Sequence, residues 1–336
     1  MPPAEVTVYE VGARDGLQNE AERLSTAVKV ELIERLAGAG LPAVEATSFV
    51  RPEWVPQLAD ASEVMAALTR EQGVRYPVLV PNEAGLRRAL EAGADEIAVF
   101  GSVTESFARR NLNRSVGESL DAFAPVVDDA HAEGLRVRGY LSMVFGDPWE
   151  GVVAVERVVE VARRMHALGV DELSLGDTIG VATPAQVQQV LDALDGGGIP
   201  GTPSRSTSTT PTGRRLANVL TALERGITIV DASVGGLGGC PFAGSATGNL
   251  ATEDLVHMLD GLGVRTGVEI EPLVEVAWWI AGRLGRGSRR AAPRGRSGRL
   301  RARLGRSEAG HHRPDVGIAH VVQYPRRFVL PKQCKA

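Results

Sequence analysis

The sequence predicts an α/β protein built as a closed (β/α)8 TIM barrel, and two observations predict it. Short apolar runs rich in β-forming residues recur from residue 6 to residue 232, and most are followed by a stretch with apolar residues at helical spacing. Strands that alternate with helices need crossover connections and therefore a parallel sheet; their near-regular recurrence favours closure over a doubly wound sheet. A chain of 336 residues with 43% hydrophobic content can bury the single large core this requires.

The strands fall at residues 6–11, 43–49, 76–80, 96–100, 137–143, 172–176 and 227–232. Helical periodicity covers residues 27–39, 83–92, 115–133, 151–168 and 184–194. That makes seven strands, and the interval between the sixth and the eighth barrel positions is about twice the usual one, which puts the missing seventh near residues 202–210. The segment there contains Pro203 and the run Ser206-Thr207-Ser208-Thr209-Thr210-Pro211. Prolines and hydroxyl residues are poor material for a buried central strand, so a disrupted seventh strand is expected.

Composition divides the chain in two. Residues 286–336 hold 14 Lys and Arg against two Asp and Glu, although the whole chain has a formal net charge of −4. The body, residues 1–285, is accordingly acidic and reads as the barrel domain. The tail lacks hydrophobic periodicity and reads as disordered or as an out-of-frame product. Its arginines have no aromatic interleaving, so neither nucleic acid nor a membrane is expected as a partner. The N-terminus has no basic and apolar leader pattern and no window is long and apolar enough to span a bilayer, so a soluble cytoplasmic protein is expected. With only Cys240 and Cys334 in dissimilar contexts, a disulfide framework is not expected.

In a barrel, chemistry belongs at the C-terminal ends of the strands. The first strand runs into Gly12-Ala13-Arg14-Asp15-Gly16-Leu17-Gln18-Asn19-Glu20, the second carries Glu45-Ala46-Thr47-Ser48-Phe49, and the sixth ends in Gly176-Asp177-Thr178. After the eighth comes Gly235-Gly236-Leu237-Gly238-Gly239-Cys240-Pro241-Phe242-Ala243, then Gly248-Asn249-Leu250. Any one of these alone reads as a turn with a satisfied ion pair. Together they place charge, a glycine-rich loop and a lone thiol around one rim.

The opening motif from Val11 to Glu20 and the loop from Gly236 to Ala243 resemble those of the 3-hydroxy-3-methylglutaryl-CoA lyase family, over residues 6–286. That resemblance implies a metal-dependent TIM-barrel lyase that splits 3-hydroxy-3-methylglutaryl-CoA into acetyl-CoA and acetoacetate by a retro-Claisen reaction. It implies an acyl-CoA substrate, a divalent metal of the Mg or Mn class, and a homo-oligomer, a dimer. It makes Arg14, Asp15, Glu45 and Cys240 catalytic, with Glu45 organising the arginine, Arg14 and Gln18 substrate-binding, and Asp15 and Asn249 metal ligands. The metal would lower the pKa of the substrate hydroxyl as a Lewis acid.

One departure is specific. Where the family carries His-x-His-Asp-x-Tyr-Gly on its seventh strand, this chain has Thr207-Ser208-Thr209-Thr210-Pro211-Thr212-Gly213, so Thr207 and Thr209 occupy the histidine positions. Codons legal for Ser206 to Arg215 can be regrouped by one base to read His-Phe-His-Asp-Thr-Tyr-Gly-Gln-Ala, the family's pattern. Similar regrouping of Gly287 to Ala292 permits Glu-Pro-Ala-Ser-Arg, which links the basic tail to the same cause. None of the six histidines follows a strand mouth in the body, so no replacement pair is evident. Two alternatives follow: a catalytically impaired member of the family, and a lyase for a larger 3-hydroxyglutaryl-CoA homologue.

Overall fold

The structure is a computed structural model that describes residues 2–199, 205–209, 214–239 and 248–286, with the backbone alone for 205–209. Nine strands form one parallel sheet: β1 (Thr7–Glu10), β2 (Ala43–Val44), β3 (Thr47–Ser48), β4 (Val78–Leu79), β5 (Glu96–Ser102), β6 (Arg136–Ser142), β7 (Glu172–Asp177), β8 (Arg205–Thr209) and β9 (Ile229–Ala232). Their order is β2-β1-β9-β8-β7-β6-β5-β4-β3. β2 and β3 are halves of one extended segment parted by Glu45-Ala46, where Glu45 N donates to Glu10 O at 2.8 Å and Ala46 N to Pro77 O at 2.9 Å. The segment thus changes partner from β1 to β4 in mid-course and closes the ring at eight barrel positions.

The helices are α1 (Thr26–Gly38), α2 (Ala61–Ala67), α3 (Glu83–Glu91), α4 (Glu105–Leu112), α5 (Val116–Ala132), α6 (Val155–Ala167), α7 (Pro184–Gly196), α8 (Arg215–Glu224), α9 (Thr252–Gly261) and α10 (Ile270–Arg283). Local chemistry starts several of them. Ser115 with Glu118 and Thr183 with Gln186 form reciprocal capping boxes on α5 and α7, and Pro184 sits in the first turn of α7 where its missing N–H costs nothing. α6 begins four residues later than its periodicity suggests, because Gly151 is taken up in an antiparallel bridge with Asp147. Leu32, Ile33 and Leu36 of α1 and Ile280 of α10 are fully buried in the helix–sheet core.

The seventh barrel position departs from the expectation of a break in one respect. Arg205–Thr209 pair in parallel with β7 on one side and β9 on the other, with Thr207 opposite Leu175 and Thr209 opposite Asp177. The ladder uses backbone N–H and C=O groups, which threonine supplies as well as valine does, and its β-branched side chain suits a pleated strand. Pro203 and Pro211 lie outside the described residues. The irregularity is therefore in the chemistry of the side chains and not in the backbone pairing. Apart from Arg286, the basic tail lies outside the described residues.

The barrel interior is charged. Arg138, wholly buried, pairs with Asp231, lies 3.2 Å from Glu172 and has the Tyr9 ring 3.7 Å from its guanidinium carbon. Ser174 donates to the second oxygen of Asp231 at 3.0 Å, and Arg136 to Glu172 at 2.8 Å. Charges this deep must be paired, and each strand contributing to the cluster supplies a partner.

Candidate active site

The rim opens on one turn of π-helix, Gly12–Gly16, in which Gly16 N donates to Val11 O at 3.0 Å. This wide turn swings Arg14 and Asp15 over the barrel mouth, and its glycines are needed for packing. A Cβ on Gly12 would lie 2.5 Å from Glu10 Oε1, and one on Gly16 would lie 2.8 Å from Ser233 Oγ and 2.9 Å from Leu237 Cβ.

Arg14 is the centre of the arrangement. It donates from Nε to Glu45 Oε2 at 2.8 Å and from Nη1 to Asp15 Oδ1 at 2.8 Å, and its Nη2 lies 2.6 Å from the same Glu45 oxygen. Burial works against the guanidinium charge, but Glu45 and Asp15 more than offset it, so its pKa rises and the group stays charged. Burial also raises the Glu45 pKa in spite of Arg14, because the carboxylate has no exposure to water. Asp15 keeps 38% of its side chain exposed and is the open face of the cluster.

Asn249 reaches the cluster from the far end of the chain. Its Nδ2 donates to Asp15 Oδ2 at 2.8 Å and to Leu237 O at 3.1 Å. Gly238, at φ +100°, lets it approach, since a Cβ there would lie 2.7 Å from Asn249 Nδ2. Asn19 donates to Gly239 O at 2.9 Å, tying the opening turn to the residue before Cys240. Cys240 itself lies outside the described residues, as do the side chains of Thr207 and Thr209. Gln18 is half-buried at the end of the π-turn. Arg14, Asp15, Glu45 and Asn249 are thus brought together on one rim.

Three groups escaped the sequence reading. Glu10 is fully buried and accepts from Gly12 N at 2.7 Å, Val234 N at 2.9 Å and Thr252 Oγ1, so it joins the π-turn, the loop after β9 and the first turn of α9. Glu253 accepts from Gly235 N at 3.0 Å. Burial lifts both carboxyls to a pKa of about 7. Tyr140 donates to Glu45 Oε2 at 3.1 Å. The signal available for Tyr140 was its place two residues after Arg138 on one strand, which puts both on one face.

The HMGL-like family model matches residues 5–280. The chain belongs to the HMGL-like family. The bovine mitochondrial hydroxymethylglutaryl-CoA lyase is 49% identical over 84% of this chain and 87% of its own length. A rat protein named as the cytoplasmic 3-hydroxy-3-methylglutaryl-CoA lyase is 47% identical over 83% of this chain and 81% of its own length. The solved HMG-CoA lyase of Bacillus subtilis superposes with a TM-score of 0.83 at 46% identity, covering 87% of this chain and 98% of the other. This HMGL-like chain is accordingly a TIM-barrel protein of a lyase family, and lyases of the family are metal-dependent. Among its described residues no helix is long and apolar enough to cross a membrane.

The donor set for a metal is partial. Asp15 and Asn249 bring two oxygen-bearing side chains together, and among the described residues no group of three or more His, Cys, Asp or Glu side chains could hold an ion. A divalent ion of the Mg class takes about six oxygen or nitrogen donors. At 207 and 209 the chain offers neutral hydroxyls. Among the described residues, Asp15 and Asn249 would supply two of those donors.

Proposed function

We propose that this chain is a hydroxymethylglutaryl-CoA lyase, an acyl-CoA retro-Claisen enzyme, whose turnover is limited by the threonines at 207 and 209. The observation that carries the reading is the linked set Glu45–Arg14–Asp15–Asn249, drawn from the second, first and last barrel positions in a chain of this family. Asp15, exposed on one side, accepts the proton of the substrate's tertiary hydroxyl. The bond between C2 and C3 then breaks, C3 becomes the ketone of acetoacetate, and the electron pair passes to the thioester enolate. Arg14 faces that enolate oxygen with a guanidinium fixed in advance by two carboxylates, a preorganised charge that stabilises such a step. Three of its five N–H donors are engaged within the cluster. The Cys240 thiol delivers a proton to C2 and releases acetyl-CoA, and the proton held by Asp15 returns to the thiolate through solvent. Glu45 keeps Arg14 in place and Gln18 contacts the substrate.

We assign Asp15 and Asn249 as metal ligands, Mg or Mn as the ion, a dimer as the assembly and the cytoplasm as the compartment. The experiment is acetyl-CoA release from 3-hydroxy-3-methylglutaryl-CoA while Mn is titrated. Slow turnover that rises with Mn into the millimolar range supports the reading. Release that ignores Mn, or cleavage confined to a homologue with a longer acyl chain, overturns it.

A further inference from the structure

One buried side chain links the mouth of the barrel to its rigid interior. Tyr140 lies on β6 with its hydroxyl 3.1 Å from Glu45 Oε2, the oxygen that also receives Arg14. Its ring centre is 5.4 Å from the guanidinium carbon of Arg14 and 4.9 Å from that of Arg138. The ring therefore stands beside two cations, one at the reacting end and one locked in the core by Asp231 and Glu172.

The two oxygens of Glu45 are unequal. Oε2 takes Arg14 and Tyr140, whereas Oε1 is buried with no hydrogen-bond partner. With Oε1 unheld, the carboxylate plane could tilt about its bond to Cγ and carry the guanidinium with it, since Arg14 by itself would follow the oxygen it binds. A donor fixed to the barrel wall removes that freedom. We propose that Tyr140 is a positioning residue for Arg14, holding the Glu45 carboxylate in one orientation and so fixing where the free N–H groups of the arginine point. The proposal rests on the lyase reading for its purpose but not for its geometry. Burial, and after it the nearby Glu45, raises the Tyr140 pKa well above the usual phenol value. The hydroxyl stays a donor at working pH and is not a proton acceptor in the reaction.

The test is Tyr140→Phe, which keeps the ring and deletes the hydroxyl. Exchange of the Nε–H protons is followed by NMR in protein labelled with 15N-arginine, the Arg14 and Arg138 signals being identified by their loss in Arg14→Lys and Arg138→Lys. Arg14 exchange should accelerate at least about tenfold while Arg138 exchange stays slow. If Arg14 exchange is unchanged, or if both arginines accelerate together as in general loosening, the proposal is overturned. In parallel, kcat for acyl-CoA cleavage should fall about tenfold with KM little changed, and the loss should vanish in an Arg14→Lys background. A chain that cleaves nothing at any Mn concentration sinks the lyase reading, and the exchange measurement still decides the role of Tyr140.

Discussion

Changing Glu45 to Gln tests the centre of the site through stability, without needing turnover. Glu45 has no exposure and Arg14 only 8% of its side chain, with Nη2 2.6 Å from Oε2. At an effective dielectric of about 20, unit charges at that separation attract by about 6 kcal/mol. Two effects reduce what is lost. Burial opposes the Glu45 charge strongly enough to raise its pKa, and glutamine still offers Arg14 a carbonyl oxygen, while Asp15 stays 2.8 Å from Nη1. The net loss should be about 3 kcal/mol, at the low end for a buried pair broken on one side. In a large domain each kcal/mol moves the melting temperature by roughly 2–4 °C, so Glu45→Gln should melt about 6–12 °C lower. Scanning calorimetry measures it, with far-ultraviolet circular dichroism to show that helix content is kept. A fall of less than about 2 °C would mean that the pair contributes little and that Arg14 is held by something else.

Other expectations follow from single features. Replacing Ser206 to Arg215 by the regrouped Val-His-Phe-His-Asp-Thr-Tyr-Gly-Gln-Ala strand should tighten Mn binding by well over 100-fold in isothermal titration, since loss of even an outer partner costs about 10–100-fold; unchanged affinity refutes the placement of positions 207 and 209 in the ligand set. The Glu10 carboxyl titrates near pH 7 in the folded chain against an ordinary value of 4.5, so the stability it contributes is complete below about pH 4.5 and is lost as pH rises through 7. Glu10→Gln keeps the group neutral, so the melting temperature of the parent relative to this variant should fall between pH 5 and pH 8, and parallel curves would contradict the assignment. Gly12→Ala puts a Cβ 2.5 Å from Glu10 Oε1 and should destabilise by about 1–3 kcal/mol, read by urea denaturation. Cys240→Ser should slow acetyl-CoA release about 100-fold or more while leaving the melting temperature within 1–2 °C, and full activity would remove the thiol from the mechanism.

The fold was legible because seven of eight barrel positions are written in apolar residues, which record burial. The seventh is written in Ser and Thr, and only its spacing betrayed it: the ladder at Arg205–Thr209 depends on backbone groups that every residue shares. Arg14, Asp15 and Glu45 stood out because charge at a strand mouth breaks the apolar pattern, whereas Asn249 was reached only through the resemblance to the family. Glu10, Arg138 and Tyr140 did not, since a polar residue inside a strand looks the same whether it faces solvent or the axis of a barrel. Their pairing across strands appears only once β1, β6, β7 and β9 are set in register. The two ends of the glycine loop could be placed from sequence as neighbours of the rim, but not the bond from Asn249 to Asp15.

That bond spans 234 positions of the chain and lies on the seam where β1 meets β9. Such a contact cannot form until nearly the whole barrel has been made, and the entropy of closing so long a loop must be offset by the packing between. A ribosome that has released the first two barrel strands has already exposed Arg14, Asp15 and Glu45, yet their amide partner is still to be synthesised. Fragments and stalled products therefore carry the acid cluster without the completed rim. Reactivity arrives with ring closure, and a break anywhere between β1 and β9 that prevents closure abolishes it without touching a site residue.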